Sequence, residues 1–246
     1  MMNIYQNLQH QAITGKKQFA WLVDPDKYTD TGLERATQTA VKAGVNLVFI
    51  GGSLLVDNRV ETCINIVKNN SNLPIVLFPG SPQQICEAAD ALLFLSLISG
   101  RNADLLIGRH VEAAPALKKS RLEIIPTGYM LVDCGRPTTA SYISNTFPIP
   151  YDKADIAACT AMAGELLGLR LIYMDGGSGA AKPVSPLMIE QVKANTNIPL
   201  IIGGGIRTKE QVYDACAAGA DVVVIGNAVE NNPELLYELG EAVNHG

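Results

Sequence analysis

The sequence predicts an α/β fold: a single closed (β/α)₈ barrel, or TIM barrel, spanning residues 1–246. Eight short apolar runs, each ended by turn-forming residues, alternate with about eight helical patterns. The length of 246 residues suits one such barrel, and no linker divides the chain. A doubly wound open sheet is the alternative architecture for the same alternation.

The eight apolar runs are typical of parallel strands buried on both faces, because they are nearly continuous in apolar residues. The fifth run can continue past Pro126 as far as Val132. Active sites of such barrels lie at the carboxyl ends of the strands, so the residues after each run are the candidates for chemistry. The runs span residues 19–23, 46–50, 74–78, 91–97, 122–125, 170–174, 199–202 and 221–225.

Helix start signals lie between the runs. Thr208 opens a Thr-Lys-Glu-Gln capping box, in which the hydroxyl and the amide satisfy two backbone donors. Ser185-Pro186 and Asn232-Pro233 each place a capping residue before a proline at the first helical position. The longest helices are predicted over residues 102–117 and 152–167.

Composition excludes several classes of protein. The chain has 19 Lys and Arg against 24 Asp and Glu, and no long basic run, which argues against a nucleic-acid partner. Its five cysteines form no C-x-x-C motif, so buried reduced thiols are expected, as in a cytoplasmic protein. The start of the chain is polar, unlike a signal peptide, and the apolar stretch 91–98 is too short for a transmembrane segment.

Glycines cluster after the sixth, seventh and eighth runs. Backbone amides without side chains can close on an anion, and barrels commonly bind phosphate after strands seven and eight. Gly204, Gly205, Gly226 and Asn227 are therefore predicted to bind a phosphate group. Ordinary tight turns are the alternative explanation for the same glycines.

Polar side chains with oxygen atoms also follow the predicted strands. Asp24 comes after the first run and Ser53 after the second, and their oxygens suit a partial Mg²⁺ shell completed by substrate phosphates. Asp24 alternatively only initiates an Asp-Pro turn. Asp175, beside the glycine-rich loops, is a candidate general base or a group that orients a substrate hydroxyl, with loop capping as the alternative.

Other chemistry lacks candidates. The histidines His10, His110 and His245 do not follow a predicted strand, so a Ser-His-Asp or Cys-His arrangement has no base there. The runs 91–98 and 124–132 are apolar at strand ends where a sugar-phosphate enzyme usually needs polar groups. They favour either a groove for a long apolar substrate or simple core packing.

Taken together, these strand ends resemble the geranylgeranylglyceryl phosphate synthase family and its bacterial heptaprenylglyceryl phosphate synthase relatives. The resemblance covers nearly the whole chain, and its middle pieces are not general features of phosphate-binding barrels. The matching pieces are VDPDK (23–27), GGS (51–53), LFPGS (77–81), SGRN (99–102), IPTGY (125–129), YMDGGSGA (173–180), GGGIR (203–207) and GN (226–227).

This resemblance implies Mg²⁺-dependent prenyl transfer from a polyprenyl diphosphate, with geranylgeranyl favoured, to the C3 hydroxyl of sn-glycerol 1-phosphate. It implies a metal site at Asp24 and Ser53, and a homo-oligomer, either a dimer or a hexamer. Asp175 stands where many family members have Glu. The implied substrate-binding residues are Tyr173, Met174, Asp175, Gly176, Gly177, Ser178, Gly179, Gly204, Gly205, Gly226 and Asn227.

Three alternatives stay open from the sequence. A heptaprenylglyceryl phosphate synthase would use a longer donor. An aldose–ketose isomerase of the phosphoribosyl type would share the phosphate loops but needs neither Mg²⁺ nor apolar middle strands. A non-catalytic phosphate-ligand binder would not need carboxylates at the strand ends.

Overall fold

The computed structural model describes residues 2–230 and 232–245, and its parallel strands form a closed barrel in sequence order. The first strand pairs with the eighth, which closes the ring. The predicted fold class is therefore confirmed, every predicted run overlaps one strand, and the fifth strand continues past Pro126 to Leu131. The strands are β1 (Gln18–Val23), β2 (Leu47–Ile50), β3 (Ile75–Leu77), β4 (Ala91–Leu97), β5 (Glu123–Leu131), β6 (Leu171–Asp175), β7 (Leu200–Gly203) and β8 (Val222–Ile225).

Helices surround the barrel and cover the outward faces of its strands. Among the described residues, no helix is both long and apolar enough to cross a bilayer. The helices are α1 (Ile4–Ile13), α2 (Asp30–Lys42), α3 (Val60–Asn70), α4 (Arg109–Lys119), α5 (Thr139–Ser144), α6 (Ala154–Leu166), α7 (Pro186–Ala194), α8 (Lys209–Ala217), α9 (Asn227–Glu230) and α10 (Leu235–His245).

Two apolar layers explain why the strands are apolar at nearly every position. Side chains alternate along a strand, so Phe49 and Tyr173 fill the barrel interior while Ile50 and Met174 pack against the helices. Leu8 of α1 joins the interior layer from the amino-terminal end of the barrel. That end is therefore covered, and the opposite end is available for a site.

Two helix starts agree with their sequence signals. Thr208 accepts a hydrogen bond from the backbone N–H of Gln211, and the reciprocal bond of the capping box is also present. Ser185 accepts from the backbone N–H of Met188, and Pro186 is the first residue of α7. Both helices begin where a side chain satisfies an otherwise unpaired N–H group.

Two helix predictions differ from the structure. Residues 102–117 were predicted as one helix, but Asp104–Gly108 forms a π-helical turn before α4 begins. The Ser96 hydroxyl of β4 donates to the Leu106 carbonyl within that turn at 2.9 Å. The helix predicted from Pro233 begins instead at Leu235, whose N–H bonds the Asn232 carbonyl in a tighter i→i+3 turn.

Candidate active site

The carboxyl ends of the strands gather the predicted residues at one mouth of the barrel. Asp175, the last residue of β6, lies opposite Gly203 of β7 and Leu131 of β5 in the strand register. The glycine-rich loops after β6 and β7 therefore start side by side. The loops after β1 and β2, which carry Asp24 and Ser53, also start as neighbours, because those strands pair.

Asp175 is a buried carboxylate, with only 7% of its surface exposed. The Tyr129 hydroxyl donates to its Oδ2 at 2.7 Å, and the Gly177 backbone N–H donates to its Oδ1 at 2.7 Å. Burial raises the pKa of Asp175 above its ordinary value, and these two hydrogen bonds partly oppose that rise. Each oxygen keeps a lone pair that can accept one more hydrogen bond.

Tyr129 acts as a hydrogen-bond donor in this pair. Its side chain is half-buried in the pocket wall, and burial raises its pKa well above the ordinary value, so the phenol stays protonated. The neighbouring Asp175 raises that pKa further. The carboxyl is therefore the member of the pair that can take up a proton.

The loop after β7 approaches Asp175 very closely. Gly204 has φ +79°, and a Cβ atom there would lie 2.6 Å from Asp175 Oδ1, so a side chain cannot be accommodated. In the part of the chain that the structure describes, the backbone N–H groups of Gly204, Gly205 and Gly226 donate no hydrogen bond. Free amides of this kind suit a phosphate group.

The loops after β6 and β8 are joined by one hydrogen bond. The Ser178 hydroxyl donates to Asn227 Oδ1 at 2.8 Å, and Asn227 is the first residue of the short helix α9. The structure thus brings Ser178, Gly204, Gly205, Gly226 and Asn227 to adjoining loops. A short helix beside the loops after strands seven and eight is the usual setting of a barrel phosphate site.

Arg207 ties the β6 and β7 loops together. One end of its guanidinium donates to the Ala180 carbonyl, and Nη1 donates to the carbonyls of Ala181 and Gly205, each at 3.3 Å. These bonds occupy the guanidinium with backbone carbonyls. Arg207 therefore supports the loops from the outside.

Tyr173 and Met174 take opposite directions from β6. Tyr173 is 1% exposed and points into the barrel, where its ring stacks on Phe78 at 5.0 Å between centroids. Met174 is fully buried in the layer between barrel and helices, so its side chain does not reach the mouth. Gly176 donates its N–H to the Gly203 carbonyl at 3.0 Å, which holds the two strand ends together.

Asp24 is half-buried after β1, close to the loop after β2. Its Oδ1 accepts the Asp26 N–H at 3.0 Å, and its Oδ2 lies 3.7 Å from the Cβ position of Gly52, the residue before Ser53. Burial raises the pKa of Asp24; the hydrogen bond from Asp26 lowers it, and the Asp26 charge raises it again. Asp24 and Ser53 are thus on neighbouring loops.

The oxygen donors at this place fit a magnesium ion. Within the described residues no group of three or more His, Cys, Asp or Glu side chains could hold a metal. A hard cation that retains water and binds substrate phosphates needs only one or two protein ligands, and Asp24 with Ser53 can supply them. Asp26 is used elsewhere, since its Oδ2 accepts the Val56 N–H at 2.7 Å.

An apolar pocket opens beside the loop that carries Ser53. Its empty volume is about 910 Å³, which includes the open mouth. The pocket passes between β3, β4 and β5 on one side and α4 and α5 on the other, and Tyr129 forms part of its wall. Its apolar wall includes Phe78, Leu93, Leu97, Leu105, Ala113 and Leu117.

Sequence reasoning did not assign two residues of this mouth. Tyr129 is 46 residues from its partner Asp175, and only the strand register brings them together. Gln84 bonds the loop that carries Gly52, 32 residues away. His110 was not expected to follow a strand. It lies on α4 in the pocket wall, and its Nε2 is 3.3 Å from Ser96 Oγ.

Comparisons of sequence with known proteins agree over nearly the whole chain. The sequence profile of the PcrB family matches residues 11–243. A geranylgeranylglyceryl phosphate synthase from Chitinophaga pinensis is 51% identical over 98% of this chain and 96% of its own length. An enzyme of the same name from Korarchaeum cryptofilum is 39% identical over 90% of this chain and 91% of its own length.

The fold comparison points to the same group of proteins. The crystal structure of (S)-3-O-geranylgeranylglyceryl phosphate synthase from Thermoplasma acidophilum, in complex with sn-glycerol 1-phosphate, superposes with a TM-score of 0.94. The two chains cover each other completely and are 30% identical. Their similarity extends over the loops described above.

Proposed function

The chain belongs to the PcrB family, and we propose that it transfers a prenyl group, geranylgeranyl, from its diphosphate to the C3 hydroxyl of sn-glycerol 1-phosphate. The products are 3-O-(geranylgeranyl)glyceryl phosphate and diphosphate. One observation carries this proposal. The buried carboxylate of Asp175 lies beside unpaired backbone amides, and it is hydrogen-bonded to Tyr129, which lines the apolar pocket.

The acceptor binds at the loops after β6, β7 and β8. Its phosphate accepts hydrogen bonds from the backbone amides of Gly204, Gly205, Gly226 and Asn227. The segment from Tyr173 to Gly179 surrounds the glycerol, with Ser178 held in place by Asn227. The C3 hydroxyl then points to Asp175.

Asp175 removes the proton from that hydroxyl as the new C–O bond forms. Burial raises its pKa, which makes it a better base than an ordinary aspartate, while the Tyr129 hydroxyl orients the carboxylate. An allylic carbon tolerates cationic character, so a modest base is enough. Aspartate is one methylene shorter than glutamate. The position of its carboxylate relative to the substrate hydroxyl is set by the hydrogen bonds from Gly177 and Tyr129.

Asp24 and Ser53 would hold Mg²⁺ through their side-chain oxygens. When bound there, the ion would supply positive charge to offset the charge that develops on the departing diphosphate. The prenyl chain extends from there into the apolar pocket, where Phe78 and Leu97 are among the wall residues. Transfer therefore occurs between the metal-binding loops and Asp175.

The pocket also favours prenyl transfer over the competing reactions. A phosphoribosyl-type isomerase would use the phosphate loops but has no use for an apolar pocket beside them. Heptaprenyl transfer needs a longer groove, and the relatives named above are geranylgeranyl enzymes. We further propose that the protein works in the cytoplasm as a homo-oligomer, a dimer or a hexamer.

A turnover assay tests the proposed function. With sn-glycerol 1-phosphate, geranylgeranyl diphosphate and Mg²⁺, we expect product, and we expect none without the metal or with the sn-3 enantiomer. Asp175→Asn should lower kcat by about 10²- to 10⁴-fold, because the amide cannot accept the proton. Near-normal turnover by this variant would exclude the base role, and no product with any prenyl diphosphate would exclude the function.

A further inference from the structure

Gln84 joins two loops at the metal end of the mouth. It ends a short 3₁₀ turn, Pro82–Gln84, and is only 6% exposed. Its Oε1 accepts the backbone N–H groups of Gly80 at 3.1 Å and Gly52 at 3.4 Å, and its Nε2 donates to the Gly52 carbonyl at 2.8 Å. One buried amide therefore binds the loops after β2 and β3 to each other.

These two loops are in direct backbone contact. A Cβ atom at Gly80 would lie 2.4 Å from the Gly52 carbonyl oxygen and 2.8 Å from that of Ser53. Only glycine permits this approach, and a few hydrogen bonds must keep the two backbones in register. Gln84 supplies three of them.

The loop after β2 is the one that carries Ser53. Gly52 is close to the Asp24 carboxylate, with 3.7 Å between its Cβ position and Asp24 Oδ2. On the β1 side the same loop is fastened by Asp26, which accepts the Val56 N–H at 2.7 Å. On the β3 side it is fastened by Gln84.

We propose that Gln84 is a positioning residue that fixes Ser53 relative to Asp24 and so determines the affinity for Mg²⁺ and diphosphate. This inference rests on the proposed function. Gln84 itself touches neither group, and it acts through Gly52 and Gly80. An amide is required because one atom accepts two N–H bonds while the other donates to a carbonyl.

Two substitutions separate the parts of this role. Gln84→Met keeps the length of the side chain and removes all three hydrogen bonds. Gln84→Glu keeps an acceptor for the two N–H groups but loses the donor and places a carboxylate against the Gly52 carbonyl. We expect both variants to bind Mg²⁺ with inorganic diphosphate about 10- to 100-fold more weakly by titration calorimetry, the usual cost of losing support behind a metal ligand.

We expect the Gln84 variants to change the kinetics of the prenyl diphosphate but not those of sn-glycerol 1-phosphate. In both variants the concentrations of Mg²⁺ and prenyl diphosphate at half-maximal rate should rise in the same proportion, while the KM for sn-glycerol 1-phosphate stays unchanged. Gln18→Met is the matched control, because Gln18 is also buried, 4% exposed, but starts β1 at the opposite end of the barrel. It should lower Tm without changing diphosphate binding.

The possible results are distinguishable. A folded Gln84→Met or Gln84→Glu protein that binds Mg²⁺ and diphosphate like the wild type overturns the positioning role. An equal rise in the KM of the acceptor also overturns it, because that pattern means general loosening of the mouth. If Gln84→Met does not fold, Gln84→Glu decides. Failure of the wild type to turn over any prenyl diphosphate instead removes the proposed function.

Discussion

The two halves of the barrel mouth are built on different principles. The loops after β7 and β8 expose backbone N–H groups, and Gly204 and Gly205 in the loop after β7 have no room for a side chain. The side from β3 to β5 is a pocket walled by apolar side chains from several elements. The first half offers backbone donors at fixed positions, which suit a charged group, and the second offers an apolar surface, which suits a hydrocarbon chain.

This difference predicts how each half responds to substitution. In the backbone half a single added methyl group at Gly204 should weaken binding of the acceptor. In the apolar half a substitution should change which donor fits while leaving the chemistry intact. The metal-binding loops lie between the two, and their loss should affect every donor alike.

Among the substitutions that compare these regions, the largest effect is expected at Asp24. Asp24→Ala removes the carboxylate that we propose as a Mg²⁺ ligand and should lower kcat/KM by about 10³-fold, the equivalent of about 4 kcal/mol of charge stabilisation. Steady-state kinetics across a Mg²⁺ titration measure it, and binding of sn-glycerol 1-phosphate should persist. Asp57→Asn, which changes an exposed carboxylate on the loop after β2, is the control, and an equal loss there would contradict the assignment.

The second effect is expected in the backbone half. Gly204→Ala places Cβ 2.6 Å from Asp175 Oδ1 and should raise the KM for sn-glycerol 1-phosphate about 10- to 100-fold, from strain of about 1–3 kcal/mol. Gly168→Ala has the same kind of left-handed backbone, φ +90°, but nothing within 4 Å of the new atom. It should lower Tm and leave the KM unchanged; a raised KM in both variants would contradict local recognition.

The third effect is expected in the apolar half. Ala113→Phe fills the α4 wall of the pocket and should reduce turnover of long prenyl diphosphates by about 10-fold, with farnesyl diphosphate affected least. The donor preference of wild type and variant is compared in one competition assay. Ala116→Phe, exposed on the same helix, should keep the wild-type preference. Equal loss for all donor lengths would mean the pocket does not hold the chain.

The smallest effect is expected where the halves meet. Tyr129→Phe keeps the ring in the pocket wall but removes a hydrogen bond that lowers the pKa of Asp175. That pKa should therefore rise further, and the acid limb of the kcat/KM profile should move to higher pH, with a loss of about 3- to 10-fold near neutrality. A limb that stays in place or moves to lower pH would show that Asp175 does not control it.

The fold and the glycine-rich half were predictable from sequence for a physical reason. Strands buried on both faces have continuous apolar sequences, and loops with exposed backbone N–H groups are rich in glycine. Both features can therefore be recognised in a short stretch of sequence. The capping box at Thr208 and the proline start of α7 are likewise local, and the structure confirms both.

The remaining features depend on distant partners. The hydrogen bond of Tyr129 to Asp175 spans 46 residues, and that of Gln84 to Gly52 spans 32, so neither is visible before the strand register is known. The segment 102–117 was predicted as one helix, with Pro115 near its end. The carbonyl of Leu106 instead bonds Ser96 of β4, a contact that no helical pattern reveals.

The π-helical turn Asp104–Gly108 offers an evolutionary route to new donor preferences. Such a turn contains one residue more than the corresponding α-helical turn, and successive helical residues are about 100° apart. An in-frame deletion of one codon here would restore i→i+4 bonding and rotate Leu105 away from the pocket, while α4 and β4 stay in place. We therefore expect the width of the pocket at Leu105 to change in one genetic event, because the deletion lies in the segment between β4 and α4.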